Sequence, residues 1–134
     1  LADLKLATTF GNNQVSAQAV HRLLEDGSYR KQVAAIRERL RRATPPLRKK
    51  LESLGFRTWT DNAEGMFLWM ELPDGAGDAT HLAARAIERG IVLAPGAVFS
   101  PSARWSRFVR FNIAQSGPGS ASPRLIAFLA EAQR

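Results

Sequence analysis

Residues 62–73 read NAEGMFLWMELP, residues 87–100 read IERGIVLAPGAVFS, and residues 108–114 read FVRFNIA. The first of these holds a strand, Met66 to Leu72. Phe67, Trp69 and Glu71 fall on one face, and Met66, Leu68, Met70 and Leu72 on the other. Apolar side chains on both faces predict a central strand covered on both sides. A helix over Ala79–Arg89 follows, with Leu82, Ala83 and Ile87 facing inward and Gly90 as its C-terminal stop. A short buried strand over Ile91–Leu93 then leads into the Pro95–Gly96 turn. The last strand, Phe108–Ile113, carries one charged side chain, Arg110, set between Val109 and Phe111. A charge in an apolar strand needs a partner or a purpose.

Working outward, Phe56–Thr60 alternates weakly and reads as another strand, joined to Met66 by a turn over Asp61–Glu64. Pro73–Gly77, Ser100–Ser106 and Gln115–Ser122 read as loops, and Pro123 opens a final helix. Upstream, Thr8–Asn13 reads as a loop. Gln14–Glu25 reads as a helix with Val15, Ala19 and Leu23 on one face and Gly27 as its stop. Ser28 is placed as the N-cap of a long helix in which Val33, Leu40, Leu47 and Leu54 repeat every seven residues. Ile36, Ala43 and Leu51 fill the second seam, and Gly55 ends the helix. Pro45 and Pro46 interrupt this pattern without breaking its phase. A kink or clean break is predicted within residues 42–47, with Thr44 capping a second segment. The fold expected is α+β: a small, mainly antiparallel sheet with helices packed on it, preceded by that long kinked helix.

The chain has 134 residues, enough for one modest core. It opens at Leu1 rather than Met and is expected to be part of a longer protein. No apolar run approaches the ~20 residues of a membrane span, and no signal peptide is evident at the N-terminus. There are no cysteines, so disulfides and thiolate metal sites are excluded. His21 and His81 lack ligand partners at helical spacing, which argues against a metal site. A cytoplasmic location is expected. Of the net charge of +7, much lies between Arg30 and Lys50. Interleaved apolar residues make that stretch the solvated face of an amphipathic helix. A nucleic-acid-binding module is the remaining alternative, and it lacks the interleaved aromatics such modules carry.

From Leu54 onward, the order and spacing of NAEGMFLWMELP, IERGIVLAPGAVFS and FVRFNIA resemble the small C-terminal domain of the class I/II aminotransferases, which are pyridoxal phosphate enzymes. The resemblance implies three parts. Residues 1–27 would close the large cofactor domain, residues 28–55 would form an interdomain helix kinked near 44–46, and residues 56–134 would form the small domain. It implies that Arg110 pairs with the α-carboxylate of an amino acid, since a planar guanidinium matches a carboxylate with two parallel hydrogen bonds. Gly65, Pro95 and Gly96 would line the pocket. Asn62 and Glu64 depart from the family's Pro-x-Gly-Gly turn.

The family carries its cofactor on a lysine in a Ser/Thr-x-x-Lys context. Lys5 follows Leu-Ala-Asp-Leu, and Lys31, Lys49 and Lys50 lie on the basic helix. This chain alone is therefore expected to have no catalytic residue, to bind no pyridoxal phosphate and to be inactive, with the cofactor held elsewhere in the full-length parent. The stretches LAPGAVFSPS, RFVRFNIAQS and PRLIAFL look most like the MocR-type branch of the GntR regulators. There an aminotransferase-like domain senses an amino acid or amine, or pyridoxal phosphate itself, and a separate N-terminal domain binds DNA. The resemblance also implies a homodimer and no membrane partner. A free-standing aminotransferase stands as the alternative parent.

Overall fold

The computed structural model describes residues 13–60, 65–100, 102–116 and 122–132. The expectations for Lys5, for the turn with Asn62 and Glu64, and for most of the Thr8–Asn13 loop lie outside them. The chain forms two compact units, Leu1–Glu38 and Arg39–Arg134.

In the first unit, helix α1 spans Gln14–Glu25. Asn13 caps it, its Oδ1 accepting from the Val15 amide at 2.9 Å. None of its side chains is buried, so its amphipathic face, including Val15 and Leu23, lies open within this unit. Gly27 takes a φ of +74° and stops the helix as expected. Ser28 is the first residue of the next helix and not its cap. Asp26, the C-cap of α1, reaches forward to it. The Ser28 amide donates to its Oδ1, and hydrogen bonding from Ser28 holds this carboxyl below the usual aspartate range.

Helix α2 spans Ser28–Glu52 without interruption, with Pro45 and Pro46 inside it. Of the kink or break expected there, the clean break is absent, and Thr44 does not cap a second segment. Its hydroxyl donates back to the Leu40 carbonyl at 2.7 Å, a bond made within a continuing helix. The prolines withdraw the amide donors that the carbonyls of Arg41 and Arg42 would use. Burial of Leu40, Leu47 and Leu51 on one stripe supports the helix across that gap. The basic residues of this stretch are mostly exposed, as on a solvated face.

The second unit holds a four-stranded antiparallel sheet of order β1-β2-β4-β3. Strand β1 is Arg57–Thr58, β2 is Phe67–Glu71, β3 is Ala94–Pro95 and β4 is Phe108–Asn112. Strand β2 is central, flanked by β1 and β4, but one face only is fully covered. Leu68 and Met70 are buried, whereas Phe67 on the other face is exposed, and Met66, just before the strand, is exposed although the alternation places it on the face of Leu68 and Met70. Ile91–Leu93 is not a strand. The Ile91 amide donates to the Ala86 carbonyl and the Gly90 amide to that of Ile87, which closes helix α3 (Ala79–Glu88) in a Schellman motif. Pairing with β4 therefore starts three residues later, at Ala94.

Asp78 caps α3, accepting from the Thr80 amide, and the Thr80 hydroxyl and amide hold its carboxyl below the ordinary range. Helix α3 buries Ala79, Leu82, Ala83 and Ala86, while Ile87 is 64% exposed, contrary to its expected inward position. The Ser100–Ser106 loop contains a 3-10 turn at Ala103–Trp105. Residues of the expected Gln115–Ser122 loop also join a one-turn helix, α4 (Ile113–Ser116). Helix α5 (Ser122–Glu131) follows, and its Leu125, Phe128 and Leu129 complete the core with Leu51, Phe56, Leu68, Met70, Val109 and Phe111.

Candidate functional site

Side chains alternate along β4, so Val109 and Phe111 enter the core while Phe108, Arg110 and Asn112 share the opposite face. Register places Trp69 and Ala94 directly beside Arg110, one on each neighbouring strand. The Arg110 guanidinium carbon lies 4.2 Å from the ring centroid of Phe67 and 4.2 Å from that of Phe99. Among the described residues no carboxylate forms a salt bridge with it.

Arg110 opens onto a cavity of about 340 Å³ shared with Phe67, the 90–94 segment, Asn112, Gln115 and Arg124. Among the described residues the lining holds two guanidiniums, two side-chain amides and no carboxylate. Such a set favours an anionic ligand. Arg124 is partly engaged already, since its Nη2 donates to the Arg89 carbonyl.

Behind Arg110 lies a cluster of aromatic rings. Trp69 stacks on Phe108 with centroids 5.7 Å apart and meets Phe99 and Trp105 edge to face at 5.8 and 5.7 Å. Trp59 joins through Trp105 and Phe108, and Arg104 lies over both Trp59 and Trp105. Sequence reasoning missed Phe67 and Phe99 as neighbours of Arg110. The alternation of β2 put Phe67 and Trp69 on one face, which was the available signal.

Of the remaining expected pocket residues, Pro95 is buried in β3 opposite Val109, one register position from the Ala94–Arg110 pair. Gly96 is buried at the start of a 3-10 turn, where a Cβ would stand 2.1 Å from the Trp105 carbonyl oxygen. Glycine is needed there for close approach. Gly65 precedes β2, exposed, with a φ of +132°. None of these three touches the cavity that Arg110 lines. Among the described residues no three of His, Cys, Asp and Glu come together to hold a metal, and no helix is long and apolar enough to cross a membrane.

The model of the family "Aminotransferase class I and II" matches residues 1–120. The chain belongs to this aminotransferase family. Among solved aminotransferases it is similar to N-succinyldiaminopimelate aminotransferase from Mycobacterium tuberculosis, with a TM-score of 0.77 and 25% identity over 96% of this chain and 33% of that one. It is also similar to kynurenine aminotransferase from Pyrococcus horikoshii, with a TM-score of 0.74 and 26% identity over 96% of this chain and 32% of that one. The chain thus spans about a third of the length of these enzymes. A further match, 49% identical over 53 residues, is to YdcR of Escherichia coli (strain K12), described as an uncharacterized HTH-type transcriptional regulator. It covers 40% of this chain and 11% of that protein.

Full-length aminotransferases of this family imply pyridoxal phosphate. The Arg110 cavity does not fit the group as its anchor, because among the described residues its lining has neither a lysine to carry the aldehyde nor a carboxylate to face the pyridine nitrogen. What the cavity can do is hold an anion.

Proposed function

We propose that this chain is the C-terminal part of the aminotransferase-like sensing domain of a MocR/GntR-type regulator. In this reading Arg110 binds the carboxylate of an amino acid effector. The observation that supports it most is a guanidinium with no acidic partner among the described residues, opening onto a cavity whose described lining holds no carboxylate. An arginine left this way keeps its in-plane N–H groups for a ligand, and a carboxylate can take two of them at once. The 49% identity to an HTH-type regulator favours a regulator over a free-standing enzyme. The chain spans only part of its relatives, so DNA contact through another domain, a homodimer and pyridoxal phosphate held by the rest of the parent all belong to this proposal. The division into residues 1–27, 28–55 and 56–134 does too. The cofactor's chemistry when bound is to capture an amino group, while this chain's part is to hold the carboxylate end.

The second reading is the small domain of a free-standing class I/II aminotransferase, favoured by the two solved enzymes that match 96% of the chain. Both readings give Arg110 the same task. Calorimetry on the intact, cofactor-loaded protein, comparing wild type with Arg110→Lys and Arg110→Ala, tests that task. Losing one member of a desolvated charge pair is expected to weaken amino acid binding by about 2–5 kcal/mol. Arg110→Lys is expected to suffer as well, because a point charge cannot reproduce the fork. Equal affinity in wild type and both variants would show Arg110 to be structural. A helix-turn-helix segment upstream in the parent decides between regulator and enzyme.

A further inference from the structure

Arginines at the surface of a sheet are usually held by a carboxylate, and this chain shows the pattern nearby. Arg57 pairs with Asp74 and Glu71, and Arg107 with Glu71 and the carbonyls of Leu72 and Pro73. Arg110 is held differently. One ring comes from β2 and the other from the turn after β3, the two strands that flank β4. Phe99 is itself braced by Trp69 at 5.8 Å. We infer that Phe67 and Phe99 are positioning residues for Arg110, fixing its guanidinium through cation–π contact so that its N–H edge is kept for a planar carboxylate.

A carboxylate partner would orient the guanidinium equally well, but it would occupy the N–H groups and cancel the charge that the ligand needs. Aromatic faces attract the cation without using an N–H donor. The weakly hydrated faces of a guanidinium suit such stacking, and its edge remains free for in-plane hydrogen bonds. The two rings are also unusual on packing grounds. Phe67 is 37% and Phe99 45% exposed, so neither is placed by burial in the core. Both lie against the Arg110 cation, and Phe99 against Trp69 as well.

The inference rests on the carboxylate reading of Arg110, and one experiment separates the two. The Arg110 Nε–Hε resonance is followed by NMR in the full chain during titration with acetate. Wild type is expected to show a ring-current shift of this resonance and a further movement as acetate binds. Phe67→Leu and Phe99→Leu are each expected to lose much of the ring-current shift and to weaken acetate binding about 3- to 10-fold. Phe67→Tyr, which keeps the aromatic face, is expected to retain both. If the leucine variants bind acetate as well as wild type, the positioning role is wrong while the carboxylate reading stands. If acetate leaves the wild-type Arg110 resonance unmoved, the carboxylate reading fails and the positioning role falls with it.

Discussion

On the helix-covered face of the sheet, Leu68, Met70, Val109 and Phe111 are no more than 2% exposed. On the opposite face, Phe67, Trp69, Arg110 and Asn112 all keep contact with solvent. The same two strands supply both sets, one residue out of phase. The first face is closed by α2, α3 and α5 and excludes water. The second is covered by a patch of aromatic rings that leaves one guanidinium in reach of a cavity. Under the proposed function the two faces divide the labour of the domain: apolar burial supplies stability on one, and a fixed charge serves recognition on the other.

The division predicts unequal responses to substitution. Phe111→Ala on the covered face removes a ring that packs edge to face on Phe56 at 5.6 Å. It is expected to cost about 3–5 kcal/mol in urea denaturation. A loss below about 1 kcal/mol would mean that the covered face is not the core of the fold.

Gly96→Ala is the next largest expected effect and probes how the aromatic face is held. Its new methyl would meet the Trp105 carbonyl oxygen at 2.1 Å, so the turn or the Trp105 segment must move. A cost of about 1–3 kcal/mol is expected, together with a change in tryptophan near-ultraviolet circular dichroism. An unchanged spectrum with full stability would show that the close approach does not hold the rings.

The sequence made the two faces legible where periodicity is strict. FLWME and FVRFN alternate, and their alternation matches the observed burial of Leu68, Met70, Val109 and Phe111. It was less reliable where local hydrogen bonding competes with pattern. Ile91–Leu93 looked like a strand, yet Ile91 spends its amide on closing α3. Pro45 and Pro46 read as a kink or a break, and the clean break does not occur, since leucines on one stripe carry α2 through them. Ile87 was assigned inward by period alone, and the smaller Ala86 is buried instead, beside Leu82 and Ala83, which face inward as expected. The site was half legible. Arg110 stood out as a charge in an apolar strand, but Phe99 lies in a turn eleven positions before it, and no local spacing links the two. Their meeting depends on β3 and β4 pairing, a tertiary fact.

The smallest expected effect on stability belongs to Arg110, and it tests the division of labour most directly. The measurement is the urea unfolding free energy of Arg110→Ala against wild type. If Arg110 serves a ligand, the variant loses no more than the cation–π contacts, about 1 kcal/mol, or gains stability, as functional residues often allow when removed. A loss of about 3 kcal/mol or more, matching the Phe111→Ala range, would place Arg110 with the structural residues and contradict the assignment of that face to recognition.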